Sequence, residues 1–477
     1  MKRISYLFLF CIIPYNLFAQ QSGYNYVSIW HNNGMSVGDI MTVKPHRWKD
    51  LCEINEHPGF VKNFTPEVKD SLLCVINKIN KDYPKDTLLS PDLFFIFKPY
   101  FMWLRDMDPH YRVRPDFVVN SAEYGSVKHF KKDVKRKITY LPFNCLNIND
   151  TLLINTSLDN LFKRGDIILS INGIAVKDIL KYNYPDRLTS PTILMANYYQ
   201  SGMTSSYNLT INRDGKIINI ISPGWPSYND IRVEILQSKA TEVSQCVYSG
   251  IGYVAIPEFF SDNSRLIKIL KKTILSFKKQ GINSIILDLR DNPGGYGDRF
   301  DELLSLFINK QSIPYLKSAK AKLTEKNIKY YSQPSSNIGK YYVFSNEELN
   351  SDITLKQTEY IQGIKYYILM NKGTGSIAAS FCNIMQYNNA AVLLGEPLLR
   401  NALKYGEGIP YPGRYPNSYI PAVLKESSIS SVEFDEYSNA DDGILYPDYQ
   451  IICNAIEYSS DQDPVIVKAV DYARNKQ

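Results

Sequence analysis

The stretch LDLRDNPGGYGDRFDELLSLF, Leu287–Phe307, passes from an apolar run through a Pro-Gly-Gly turn into a segment with helical spacing. Its neighbours repeat the pattern. IGYVAIPEF (251–259), INSIILDLR (282–290), KYYILMN (365–371) and NAAVLLGE (389–396) are short, nearly continuous apolar runs. Between them lie SRLIKILKKTILSFKKQG (264–281) and GSIAASFCNIMQY (375–387), which read as helices. Wholly apolar strands alternating with helices predict an α/β sheet covered on both faces. Ligands of such sheets gather where strands end and helices begin.

Three of these strand-to-helix junctions are more polar than a core requires, VLLGEP (392–397) being the third. In the first, Asp288, Arg290 and Asn292 precede Pro293-Gly294-Gly295. Paired glycines at a helix start let backbone N–H groups face a ligand, as an oxyanion hole needs; a tight βα turn with charged caps fits the same residues. The second is NKGTGSIAASF, Asn371–Phe381, where Ser376 follows a Gly-rich turn and opens an Ala-rich helix. A serine there can project into the crevice as a nucleophile, or it can cap the helix. Taken alone, the local sequence leaves both readings open.

With 477 residues the chain exceeds what one hydrophobic core usually supports, so two or three domains are expected. MKRISYLFLFCIIPYNLFAQQ, with two cations before a short apolar run, reads as a signal peptide over residues 1–19, which implies export. Residues 20–150 read as a helical N-terminal region ending in strands, with apolar helical spacing in EVKDSLLCVINKINKDY (67–83). Residues 151–225 change texture: short β runs are punctuated by Arg164-Gly165-Asp166, Asn172-Gly173 and Asp214-Gly215, the marks of a small β-rich module. PGWPSYND (223–230) reads as a linker before an α/β region over 245–477.

Charge excludes little but directs some attention away. The net +6 comes from 54 basic and 48 acidic residues without a basic block, so nucleic acid is not an expected partner. Five isolated histidines without HExxH give no expectation of a metal, and no cofactor is expected. Past the signal, no membrane span is expected. Six cysteines beyond Cys11, widely spaced and without CxxC, read as buried thiols or at most one bridge.

Taken together, DLRDNPGG, TGSIA and VLLGEP resemble the tail-specific or C-terminal-processing serine peptidases, including the tricorn-core and retinoid-binding-protein-like branches. The resemblance covers roughly Leu158 to the C-terminus. KRGDIILSINGIAV (163–176) resembles a PDZ domain, which sits where that family carries one. The resemblance implies a crotonase/Clp-like ββα superhelix for the catalytic domain and a protein or peptide substrate. It makes Ser376 the nucleophile, with Gly294, Gly295 and the N–H of Ile377 as oxyanion hole. The family's lysine base falls at Asn401 in GEPLLRNALKYGEG, with Arg400 beside it and Lys404 three residues on. Arginine does not deprotonate near neutral pH. The histidine branch offers His110, in WLRDMDPHYRV, with Glu407 as its acidic partner. Two functions follow as expectations: an exported, periplasmic or secreted serine endopeptidase, or a catalytically impaired relative that binds peptide or an apolar ligand.

Overall fold

Parallel strands need cover on both faces, and the alternation of side chains along each strand decides what covers which face. A computed structural model gives the structure of residues 141–180, 188–189, 206–225, 243–259, 263–323, 328–329, 331–349, 351–406, 432–440, 442–459 and 462–476. The signal segment, the helical region expected before residue 141, His110 and Glu407 lie outside the described residues.

The chain first builds a seven-stranded sheet from β1 (Phe143–Ile148), β2 (Thr151–Ser157), β3 (Ile167–Ile171), β4 (Ile174–Ala175), β5 (Leu188–Thr189), β6 (Tyr207–Arg213) and β7 (Lys216–Ser222), in the order β5-β1-β2-β3-β6-β7 with β4 on β3. A short helix α1 (Val176–Leu180) follows β4. The sheet begins at Phe143, before the boundary expected at 151, because β1 pairs antiparallel with β2. Asn172-Gly173 and Asp214-Gly215 turn its hairpins with φ of 50, 78, 52 and 81°, the left-handed pairs that suit two-residue connections. The Gly165-Asp166 turn is fixed by buried Asp166, whose two oxygens accept from Arg213 Nε at 2.7 Å and Nη2 at 2.6 Å. A bidentate pair of this kind specifies geometry as well as attraction.

The second sheet has six strands: β8 (Ser244–Tyr248), β9 (Ile251–Ala255), β10 (Ser284–Asp288), β15 (Lys365–Met370), β16 (Ala391–Gly395) and β19 (Tyr449–Gln450), in the order β19-β16-β15-β10-β9-β8. All neighbours are parallel except the β8–β9 hairpin. Alternation splits the core in two. Val254, Ile285, Leu287, Ile368, Met370 and Leu393 face helices α2 (Asn263–Lys279), α3 (Phe300–Ser305) and α4 (Ile377–Tyr387). Tyr253, Ile286, Tyr367, Leu369 and Leu394 face helix α5 (Pro464–Asn475) and the residues Leu146, Ile148 and Leu153 of the first sheet. Two smaller sheets complete the described residues: β11 (Ser312–Pro314) with β14 (Asp352–Thr354), and β13 (Tyr341–Val343), β12 (Leu316–Lys322), β18 (Val432–Glu436) and β17 (Tyr405–Gly406) in that order. Cys145, Cys382 and Cys453 are buried thiols, whereas Cys246 is exposed on β8; all four are free.

β18 is tied to α4 by a buried carboxyl. Glu436 accepts from Ser380 Oγ at 2.6 Å and from Asn383 Nδ2 at 3.0 Å. Burial pushes it up to about 7, although the two donors pull the other way. The sign follows from linkage: the folded state holds a proton that the unfolded chain has already released, so this contribution is complete below the ordinary pKa of 4.5 and is lost as pH rises to about 7. Glu436→Gln removes that dependence. The unfolding free energy of the variant relative to wild type should therefore rise between pH 4.5 and 7, by on the order of 3 kcal/mol at most; a difference that is flat or falls with pH contradicts the assignment. A second expectation concerns Gly395, which ends β16 at φ 116°, where a Cβ would lie 2.2 Å from the Met370 carbonyl oxygen. Gly395→Ala should cost about 2 kcal/mol or more in urea unfolding, and an unchanged midpoint would show that the strand end relaxes freely.

Candidate active site

Because β10, β15 and β16 are parallel, their C-terminal ends lie on one edge of the sheet, and the first two polar junctions meet there. The meeting is built from hydrogen bonds between the loops. Leu289 N–H donates to Leu369 O at 2.8 Å, and Gly375 N–H donates to Asn292 O at 2.9 Å. Asn371 Oδ1 accepts from Asp291 N at 2.8 Å and from Gly373 N at 3.0 Å, while its Nδ2 donates to Asp291 Oδ1 at 3.0 Å. Thr374 Oγ1 donates to Leu289 O at 2.8 Å. Asn292 is fully buried; its Nδ2 donates to Ile256 O and its Oδ1 accepts from Gly294 N, both at 2.9 Å. Each buried polar group is thus partnered across loops that no regular ladder joins.

The glycines are required by how closely these loops approach. A Cβ on Gly294 would lie 2.6 Å from Ser376 Cβ and 2.8 Å from Gly375 O. A Cβ on Gly295 would lie 1.8 Å from Phe259 O. Phe259 N–H donates to Gly294 O at 2.8 Å and Phe259 O accepts from Tyr296 N at 3.2 Å, a parallel bridge that leaves the Gly295 N–H pointing away from Phe259.

Ser376 sits at the N-cap position of α4 with φ 52° and ψ −132°, and its side chain makes no cap bond. A non-glycine residue in that region costs of order 1–3 kcal/mol and is kept only where the surroundings over-determine it. The strained strand-to-helix turn presents its side chain at the tip rather than along the helix. Among the described residues the Ser376 hydroxyl has no hydrogen-bond partner, and neither does the N–H of Gly295 or Ile377. The Ile377 N–H lies 3.2 Å from the position a Gly294 Cβ would take, at the positive end of an eleven-residue helix. A hydroxyl without a bond, beside two N–H groups without acceptors, can attack a carbonyl and hold the oxygen that becomes charged.

Of the residues singled out in the sequence, Ser376, Gly294, Gly295 and Ile377 come together. Gly294 does so with a difference: its N–H is engaged by Asn292, so it supplies close approach and a carbonyl for Phe259 rather than a donor. Lys404 does not join them. Its Nζ pairs with Glu433 at 3.5 Å, Glu433 also pairs with Lys320 at 3.2 Å, and both lysines line a cavity of about 460 Å³ beside Asn401 and Asp442. Asn401 N–H donates to Gly443 O at 2.7 Å and Arg400 Nη1 to Asp442 O at 2.8 Å, which fixes that turn against the 442–443 segment. Sequence reasoning missed Asn371, Thr374 and Glu436. Asn371 and Thr374 flank a turn whose composition already signals a loop, so their inward bonds leave no trace in composition; in VEFDE, Glu433 and Asp435 alternate with Val432 and Phe434, and Glu436 falls on the apolar face of that alternation, the one signal that could have marked it as buried. Among the described residues no group of three or more His, Cys, Asp or Glu could hold a metal, and no helix is long and apolar enough to cross a membrane.

Residues 250–407 match the model of peptidase family S41. A probable CtpA-like serine protease of Staphylococcus epidermidis is 26% identical over 244 residues, covering 50% of this chain and 41% of that protein. Its counterpart in Staphylococcus saprophyticus is 24% identical over 245 residues, 51% of this chain and 38% of that protein. The chain therefore spans less than half the length of these relatives. Among solved structures, mature CPAF complexed with lactacystin has a TM-score of 0.57 at 13% identity, covering 91% of this chain and 97% of that one, a likeness of fold. Residues 250–407, which hold β9, β10, β15, β16 and the three polar junctions, thus match peptidase family S41, and the chain is similar in sequence to CtpA-like serine proteases and in fold to CPAF.

Proposed function

We propose that this protein is an exported serine endopeptidase, acting in the periplasm or outside the cell, in which Ser376 attacks the carbonyl carbon of a peptide bond. One observation carries the reading: a serine at φ 52° whose hydroxyl, like the nearby N–H groups of Gly295 and Ile377, has no hydrogen-bond partner among the described residues. The Oγ–C bond forms as the carbonyl electron pair moves onto oxygen, and the two N–H groups hold that oxyanion. The Oγ proton passes to the base, which returns it to the leaving amine as the C–N bond breaks. Water then repeats the sequence on the acyl-enzyme, releasing the carboxylate product and restoring Ser376.

The base in this reading is His110, oriented by Glu407. Lys404 is the alternative, and it would have to leave Glu433 to reach Ser376. The seven-stranded module acts as a PDZ-like domain that holds substrate tails, and the region from 245 adopts the crotonase/Clp-like superhelix; the paired Asn-Gly and Asp-Gly hairpins and the parallel strands with alternating helices support these assignments. A second reading keeps the fold without turnover. It is favoured by Asn401, which occupies the family's lysine position, and Arg400 beside it, both bonded to the 442–443 segment.

The wild type should cleave an unstructured protein such as casein, and Ser376→Ala should abolish cleavage by a factor of about 10⁴ or more. His110→Ala should remove activity where Lys404→Met retains it. Gly294→Ala, which places a methyl 2.6 Å from Ser376 Cβ, should lower kcat by about a hundredfold. A folded wild type without cleavage would favour the binding protein, and a Ser376→Ala variant that still cleaves would reject the nucleophile.

A further inference from the structure

The loop that carries Gly294 and Gly295 is held from behind as well as from the crevice. Arg290 leaves it on the opposite side, toward α5, and is buried. Its Nε donates to Asp288 Oδ1 at 2.9 Å and its Nη2 to Asp288 Oδ2 at 2.5 Å. Tyr253 OH donates to the same Oδ2 at 2.7 Å. The remaining arm, Nη1, donates to Asp463 Oδ2 at 2.9 Å, reaching a residue 173 positions further along the chain. Burial alone would lower the Arg290 guanidinium, but Asp288 and Asp463 hold it well above its ordinary value.

Asp463 is itself fixed. Its Oδ1 accepts from Val465 N at 2.9 Å as the N-cap of α5, whose Val465, Ala469, Val470 and Ala473 pack on the sheet face that includes Tyr253 and Ile286. The two oxygens therefore divide their work, one capping the helix and one anchoring the loop. Beyond Arg290 the loop has Asp291 at φ 58°, Gly294 at 103° and Gly295 at 140°, a run that no ladder enforces. Its shape depends on individual hydrogen bonds, those of Asn292 and Asn371 on the crevice side and that of Arg290 from behind.

We propose that Asp463 is a positioning residue for the oxyanion loop: through Arg290 it ties the C-terminal helix to the register of the Gly295 N–H. The inference rests on the reading of Ser376 as nucleophile, and it adds a dependence of acylation on the far end of the chain.

Asparagine separates the two jobs of Asp463. It caps a helix as well as aspartate does, but it has one oxygen, so with the cap kept its Nδ2 faces the Arg290 Nη1, donor against donor. Acylation by a fluorophosphonate probe and amide exchange over residues 291–296 read the result in the full chain. Asp463→Asn and Asp463→Ser should each lower the maximal acylation rate about ten- to a hundredfold while leaving the probe concentration at half-maximal rate unchanged, and should speed exchange over 291–296 with α5 still protected. Wild-type acylation and wild-type exchange in both variants would overturn the proposal, as would faster exchange confined to α5. A folded wild type that takes no probe rejects the reading of Ser376, and the exchange measurement then still decides whether Asp463 holds the loop.

Discussion

The side chain and carbonyl of Asn292 are the point on which the site depends. Its Nδ2 reaches back to β9 at Ile256, its Oδ1 takes the Gly294 N–H, and its own carbonyl takes the Gly375 N–H just before Ser376. Three segments that leave neighbouring strands of one sheet are thereby fixed within hydrogen-bond distance beyond the point where strand pairing ends. An unpaired buried amide costs about 1–3 kcal/mol, so each of these bonds resists the loss of the others. The bond to Gly294 also affects which donors remain for a ligand: with that N–H engaged, the N–H groups of Gly295 and Ile377 still have no acceptor among the described residues.

Holding Ser376 at φ 52° runs against its intrinsic preference, by of order 1–3 kcal/mol. The residues just after it supply the opposing force. Ile377, Ala378, Phe381, Cys382, Ile384 and Met385 of α4 are all buried in the core that α2 and α3 share, and burying even one large apolar side chain contributes about 1.5–3 kcal/mol. Packing of the helix therefore outweighs the strain at its first residue. The same logic extends to the opposite face of the sheet, where α5 is packed and capped and Arg290 connects its cap to the loop. The edge that carries Ser376 is thus set by both layers that cover the sheet.

Much of this was legible because it follows from period and turn chemistry. SIILD and KYYILM are buried nearly throughout, as continuous apolar runs in parallel strands should be. Asn172-Gly173 and Asp214-Gly215 turn hairpins because both residues of each pair accept positive φ. The nearness of Ser376 to Gly294 followed from the resemblance, since strand order is a tertiary property that neither junction encodes alone. Other features are invisible to local reading. Which glycine keeps a free N–H depends on the rotamer of Asn292, and the buried state of Glu436 depends on the helix laid over its strand. Lys404 turns toward Glu433, a partner 29 positions on that pairs with it only after β17 and β18 align. The boundary at 151 fell inside a hairpin because FNCLNI and TLLINTS, joined by Asn149-Asp150 at φ 48 and 61°, are one unit rather than the end of one region and the start of another.

In the proposed reaction Ser376 attacks and the backbone of Gly295 and Ile377 receives the charge. A crystal structure of the chain after reaction with a fluorophosphonate tests both halves at once, because the phosphoryl oxygen stands in for the oxyanion. The proposed reaction requires phosphorus bonded to Ser376 Oγ and its unsubstituted oxygen within about 2.7–3.1 Å of both N–H groups. An adduct on another residue, or on Ser376 with that oxygen turned to solvent or to the Gly294 N–H, would contradict it.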